Sequence, residues 1–368
     1  MKTVWGVAAA SERYNVMINR KFGKQGFEVS LLGMGAMRLP RLTAQNGAYY
    51  VDREKAYELI RYAADHGVTY FDSAFTYHAK TSEEVLGEAL EGGRRGKVRL
   101  ATKLPISEMK SPDNIRRSLE STLRKLRTDY LDVYMMHGIG PGSWGAVLEN
   151  KAIESYEKLR SEGLIKTIGF SYHGNYDHFK EVLAHYDWGM CLVQQNLIDS
   201  DREVTDQVYG LIAKSSTALA IMEPLRGGGL AYAPAQVKDV YDSHGDKRSP
   251  AEWAFRYLID RPEVSVIVSG MSTLEQLKDN IAIFSKPDAA PGCLSPQDKD
   301  LIKRAREAYD SVVNIPCTAC DYCMPCPSGV NIPGIFSSYN DAYRFEFFDA
   351  RRSRCSAKSL RRLRRMRR

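Results

Sequence analysis

No apolar run in this 368-residue chain approaches the ~20 residues that cross a bilayer, so a helical membrane span is excluded. The apolar patch Val4 to Ala10 behind Lys2 is too weak for the core of a secretory signal, which excludes that reading too. The chain has no G-x-G-x-x-G turn after its first strand, as an open dinucleotide-binding sheet would have. Its body also lacks positive charge. The formal net charge is +7, but residues 351–368 alone carry ten positive charges and no acid, so the remainder stands at −3. Charge therefore gives no support to nucleic acid as a partner of the whole protein. Beyond the alternation of strand and helix, no internal repeat is visible.

What is present is an alternation of apolar strands with amphipathic helices. The runs on either side of Gly23 to Gly26 read as a β-hairpin. Eight strands come next, at Val29–Met34, Gly67–Phe71, Val98–Thr102, Tyr130–Met136, Ile165–Phe170, Cys191–Gln195, Ala218–Met222 and Val264–Val268. Helices lie between them: Arg53–Asp65, Glu83–Leu90 with Ser82 as cap, Asn114–Leu126 with Asp113 as cap, Ile153–Glu162, Tyr176–Ala184, Glu203–Lys214, Pro250–Asp260, and Thr273–Ile283 with Ser272 as cap. Eight βα units predict a closed (β/α)8 TIM barrel. A Pro/Gly-rich connector at 285–296 ends it, and a helix over Gln297–Val312 leads to a cysteine-rich stretch.

Three consecutive strand ends carry titratable side chains. The second delivers Asp72, with Tyr77 in the loop beyond it; the third delivers Lys103 and the fourth His137. Reduction of a carbonyl needs a hydride at carbon and a proton at oxygen. A tyrosine is a weak acid, with a reference pKa of ~10, and a neighbouring ammonium favours its phenolate. A strand-end Asp is commonly a helix cap, and a lone His is commonly a core residue. Four fitting types in this order are much harder to explain that way. The constellation resembles the aldo-keto reductases over about Met17 to Asn280. That resemblance implies Tyr77 as general acid–base, Lys103 as its tuner, Asp72 as the anchor of Lys103 and His137 as the group that orients the substrate oxygen.

The resemblance extends to the cofactor side. Gly35 to Pro40, with Met37 and Arg38, is similar to the first cofactor-facing segment. Gly169-Phe170-Ser171 resembles the strand end whose Ser holds the nicotinamide amide, with Tyr172 in place of the usual Asn. Gln194 resembles the second amide ligand. Glu223 to Gly228, including Pro224, Leu225, Arg226 and Gly227, resembles the loop over the pyrophosphate, and Met222 replaces the usual stacking aromatic. Gly270 and Ser272, with Gln276 and Asn280, resemble the adenosine-phosphate segment. Met271 and Gln276 stand where basic residues usually grip a 2′-phosphate, and Lys278 is a candidate to compensate. The resemblance implies NADP(H) or NAD(H) with weak discrimination between them. It also implies a small-molecule carbonyl or alcohol substrate, whose identity specificity loops would set.

Of seven cysteines, four form one run, Cys317, Cys320, Cys323 and Cys326, followed by Pro327. Such spacing indicates metal ligation in a reducing, cytoplasmic setting rather than disulfides. It is close to the ferredoxin run that holds a 4Fe–4S cluster, although the last gap is one residue shorter than usual; zinc is the alternative. The run and the adjoining Gly329 to Pro333 resemble an iron–sulfur branch of the same family, which usually carries a second run that is not seen here. Cys326 is then either the fourth ligand or, in the two-cluster scheme, without a cluster to serve. The basic tail is the product of a truncation or frame shift, or else a segment for acidic partners. The expected organisation is an extension at 1–16, with Met17 as the natural start, the barrel at 17–284, a connector and helix at 285–313, a ferredoxin-like segment at 314–343 and a basic tail at 344–368. A competing reading keeps the barrel but makes it a redox-responsive binding or electron-transfer protein with its own electron-transfer partner.

Overall fold

In each strand of the central ring, alternate side chains face the axis and the helices outside. The computed structural model describes residues 17–45, 47–199, 204, 206–313, 315, 317, 323 and 326–345. Strands β1 (Asn19–Lys21) and β2 (Glu28–Ser30) form the expected antiparallel hairpin. The barrel strands are β3 (Leu32–Gly35), β6 (Tyr70–Asp72), β7 (Arg99–Pro105), β8 (Leu131–Ile139), β9 (Ile165–Tyr172), β10 (Met190–Gln194), β11 (Ala218–Met222) and β12 (Val264–Ser269). Each pairs in parallel with its neighbours, and β12 returns to β3 to close the ring. Between β3 and β6 lies a second hairpin, β4 (Arg41–Thr43) and β5 (Tyr49–Val51), which the apolar pattern of the sequence does not announce.

The helices are α1 (Arg53–Asp65), α2 (Ser82–Ala89), α3 (Pro112–Leu126), α4 (Trp144–Glu149), α5 (Ala152–Ser161), α6 (Tyr176–His185), α7 (Gln207–Ile212), α8 (Ala235–Asp242), α9 (Pro250–Ile259), α10 (Leu274–Phe284), α11 (Pro296–Ser311) and α12 (Ile332–Arg344). Helices α4, α8 and α12 add to those expected from the sequence. The expected start of α7 at Glu203 lies outside the described residues. Three expected caps are corrected. Ser111 rather than Asp113 caps α3, accepting from Asn114 N at 3.3 Å, with Pro112 opening the helix. Thr273 rather than Ser272 caps α10. Ser82 lies inside α2, and its hydroxyl bonds to the Ala36 carbonyl. The first barrel strand is also shorter than expected, because Val29 and Ser30 belong to the hairpin.

Inside the ring, Tyr70, Ala101, Val133, Met135, Met190, Leu192, Ala218, Ala220, Val266 and Val268 form one apolar cluster. Phe22 from the hairpin plugs its lower end, 5.6 Å from the Tyr70 ring. The hairpin is clasped by Arg20, whose guanidinium donates to the carbonyls of Ile259, Arg261 and Val264. A larger cluster fills the space between strands and helices. It does not stop at Phe284, because Leu301, Ile302, Ala305 and Tyr309 of α11 belong to it. Of the segment 314–343 expected to be ferredoxin-like, residues 314, 316, 318–322, 324 and 325 lie outside the described residues, and its later part is α12. Among the described residues no helix is long and apolar enough to cross a membrane.

Candidate active site

Strand parity aims the titratable groups. Tyr70, Ala101 and Val133 face the axis, so Asp72, Lys103 and His137, at even offsets from them, face it too at the C-terminal mouth. Lys103 is only 1% exposed. An ammonium has three N–H donors, and Lys103 directs them to Asp72 Oδ1, to the Ser73 carbonyl at 2.7 Å and to the Tyr77 hydroxyl at 3.4 Å. Burial opposes the Lys103 charge, but Asp72 and Tyr77 outweigh it and hold the ammonium above its ordinary value. The loop that carries Tyr77 is tied to β7 by Ser73 N donating to Ala101 O and Phe75 N to Lys103 O. The His137 ring stands edge-on to Tyr77, with ring centres 5.9 Å apart. Burial, with the Lys103 charge and His173 adding to it, pushes the His137 imidazolium down to about 3. His137 is therefore neutral near neutrality and carries a single N–H. The four residues are brought together at one point, as expected from the sequence.

The other residues singled out by the sequence lie near the C-terminal ends of β3, β9, β10, β11 and β12 or in α10. Ser171 is buried, and its oxygen accepts from Gly138 N at 2.9 Å, which leaves its proton to be donated. Tyr172 does not take the place of an amide ligand. It falls on the outward parity of β9 with Phe170, in the helix-facing cluster, and its hydroxyl donates to Asn175 O and meets His178 Nδ1 at 2.9 Å. Gln194 Nε2 donates to Asp199 Oδ2 at 3.2 Å, and Asn196 donates to the same oxygen at 3.0 Å. Arg226 lies 3.0 Å from Asp199 Oδ1 and 3.1 Å from Asp341 Oδ1 of α12.

Around the loop 223–227, Pro224 is buried and Leu225 packs on the core. Glu223 has a positive φ of 56°. The stem of Arg38 lies against Gly270, where an added Cβ would meet its Cγ at 2.6 Å. Its guanidinium reaches Gly227 and Glu223 instead. Met37 beside it is exposed. Ser272 Oγ donates to the Arg38 carbonyl, and Ser272 N donates to Gln276 Oε1. Asn280 donates to Ser269 Oγ. Met271 is buried at 1% exposure, and the Lys278 ammonium lies over the Tyr62 ring at 5.4 Å. Ser73, His173, Asp199 and Asp341 join the site without being singled out by the sequence. The first three stand within a few residues of recognised strand ends, whereas nothing local marks Asp341.

The cysteine run is different. Cys317 and Cys323 are exposed, Cys326 is half-buried, and Cys320 lies outside the described residues. Among the described residues no three His, Cys, Asp or Glu side chains converge where a metal ion would bind. The described thiols therefore do not form a ready-made cradle for a 4Fe–4S cluster.

Comparison with known proteins matches residues 31–289 to the model of the aldo/keto reductase family. A probable aldo-keto reductase of Glycine max is 27% identical over 302 residues, which cover 72% of this chain and 84% of that one. An uncharacterised oxidoreductase of Bacillus subtilis is 25% identical over 294 residues, 72% of this chain and 90% of its own length. Among solved structures, the holo form of an aldo-keto reductase of Bacillus halodurans superposes with a TM-score of 0.66 at 24% identity, covering 79% of this chain and 97% of that one. One from Klebsiella pneumoniae, in complex with NADP and acetate, gives a TM-score of 0.62 at 24% identity, covering 78% and 95%.

Proposed function

The chain belongs to the aldo/keto reductase family of oxidoreductases, and from that premise we propose that it interconverts a carbonyl and an alcohol by hydride transfer, with Tyr77 as general acid–base. The observation that carries this reading is the Lys103 ammonium. It is buried, anchored by Asp72 and the Ser73 carbonyl, with its third donor aimed at the Tyr77 hydroxyl. In the reductive direction the Tyr77 proton passes to the carbonyl oxygen, and the Lys103 charge lies where negative charge is left behind. Asp72 keeps that ammonium in place. The neutral His137 ring donates its N–H to the same substrate oxygen and aligns it. Reversal of the same proton path serves alcohol oxidation.

NADP(H) or NAD(H) would supply or accept the hydride. Ser171 and Gln194 would hold the carboxamide, the backbone of Pro224 to Gly227 with Arg38 the pyrophosphate, and Gly270, Ser272, Gln276 and Asn280 the adenosine phosphate. The Klebsiella relative binds NADP, which supports the assignment. Met271 is buried and Gln276 is engaged with Ser272, so neither replaces a basic grip on a 2′-phosphate. This supports weak discrimination between the two cofactors.

The spacing of Cys317, Cys320, Cys323 and Cys326 supports a separate iron–sulfur site, through which no step of this reaction runs. Cys191 and Cys293 remain as free thiols, in keeping with a reducing cytoplasm.

Fluorescence titration with NADPH and NADH, followed by assay on a carbonyl panel, tests the whole reading. Tyr77→Phe keeps the ring and removes the proton; turnover should fall ~10²-fold or more with cofactor affinity nearly unchanged. Wild-type turnover by Tyr77→Phe would sink the mechanism.

A further inference from the structure

The family match ends at residue 289, yet one contact with the cofactor side comes from well beyond it. Helix α12 is fixed against the end of α11 and the residues just after it. Asn340 bonds to both backbone groups of Ile315, and Arg344 pairs with Asp310 at 2.8 Å. Just past its end, Phe345 lies against Gly229, where an added Cβ would meet the ring at 3.0 Å. These contacts place Asp341 3.1 Å from Arg226, a guanidinium whose side chain is only 12% exposed.

We propose that Asp341 is a positioning residue for the nicotinamide cofactor, acting through Arg226 and Asp199 on the amide of Gln194. This rests on the reading of Gln194 as a carboxamide ligand. Asp199 is 1% exposed, and its carboxylate oxygens only accept hydrogen bonds. Gln194 must therefore turn its NH2 toward Asp199 Oδ2, which leaves Gln194 Oε1 as the atom offered to a carboxamide N–H. A buried carboxylate needs a countercharge, and Arg226 supplies it at 3.0 Å on the other oxygen. Asp341 is a second carboxylate on the same guanidinium, paired with its other terminal nitrogen, and holds it in place. The chain of contacts thus runs from the post-barrel helix to the side chain that selects how the nicotinamide ring is turned.

The test compares the natural cofactors with their 3-acetylpyridine analogues. The analogues carry a methyl ketone in place of the carboxamide and have no N–H for Gln194. In full-length protein, Asp341→Ala should weaken NADPH or NADH binding roughly fivefold, the scale of one partly buried ion pair. It should weaken the acetylpyridine analogue less than about twofold, because that contact is already missing. Asp341→Asn keeps the shape and should give the same pattern, which guards against a misfolded alanine variant. Asp341→Glu should restore most of the loss. Unchanged binding, or equal loss for both kinds of dinucleotide, would overturn the inference while leaving the reductase reading in place. A wild-type protein that binds no nicotinamide cofactor would remove that reading and this inference together.

Discussion

Three donors and three acceptors meet at Lys103, and that match of valence is what turns four ordinary residue types into a site. His137 completes it by staying uncharged. Its imidazolium is pushed down to about 3, against about 6.5 in an unfolded chain. Between those values the unfolded state binds a proton that the native state refuses, so stability falls as the pH falls through this window. His137→Gln removes that term. Urea unfolding at pH 7 and near pH 4.5 should show the variant losing less stability on acidification than the wild type. Equal losses would mean that the ring is protonated in the folded protein. These residues were legible in the sequence because each stands at a strand end or, for Tyr77, in the loop just beyond one. Tyr172 was not, since its placement depends on one further residue of β9: parity turns it outward to the helices.

At the scale of elements, apolar periodicity located most strands and helices to within a few residues. It failed where a boundary depends on competition between neighbours. Ser111, Pro112 and Asp113 could each open α3, and Ser111 does so because Pro112 already suits the first helical position. Helix packing was also invisible. An added Cβ on Gly87 of α2 would lie 2.4 Å from the Lys125 carbonyl and 2.7 Å from the Leu126 backbone of α3. Alanine favours a helix over glycine by about 1 kcal/mol. Overpacking costs about 1–3 kcal/mol, and here the obstacle is backbone that cannot rotate away. The clash should win. Gly87→Ala is expected to lower stability by up to about 2 kcal/mol in urea unfolding; a variant more stable than the wild type would show that α2 and α3 stand further apart.

For the whole molecule, the eight-unit barrel was legible because its period repeats, whereas the attachment of the C-terminal helices was not. The barrel was expected to end at residue 284, but α11 contributes buried Leu301 and Tyr309 to its core. The cysteine run lies between α11 and α12, both seated on the barrel by contacts of their own. On the proposal that this run holds a cluster, anaerobically reconstituted protein should contain iron and acid-labile sulfide in near-equal amounts. Aerobic preparation should remove both and leave the far-ultraviolet dichroism of the barrel unchanged. Stoichiometric zinc without sulfide would overturn the cluster and leave the reductase.

The Arg20 clasp and the pairing of β3 with β12 set a timetable for synthesis. The hairpin leaves the ribosome early, but its carbonyl partners at Ile259, Arg261 and Val264 come about 240 residues later. At roughly 5–20 residues per second, β3 waits on the order of ten to fifty seconds for its neighbour. Throughout that interval the growing sheet presents an open edge on β3, a template for pairing with other chains. Closure of the last strand onto the first thus ends the period in which the nascent protein most needs protection from its own copies.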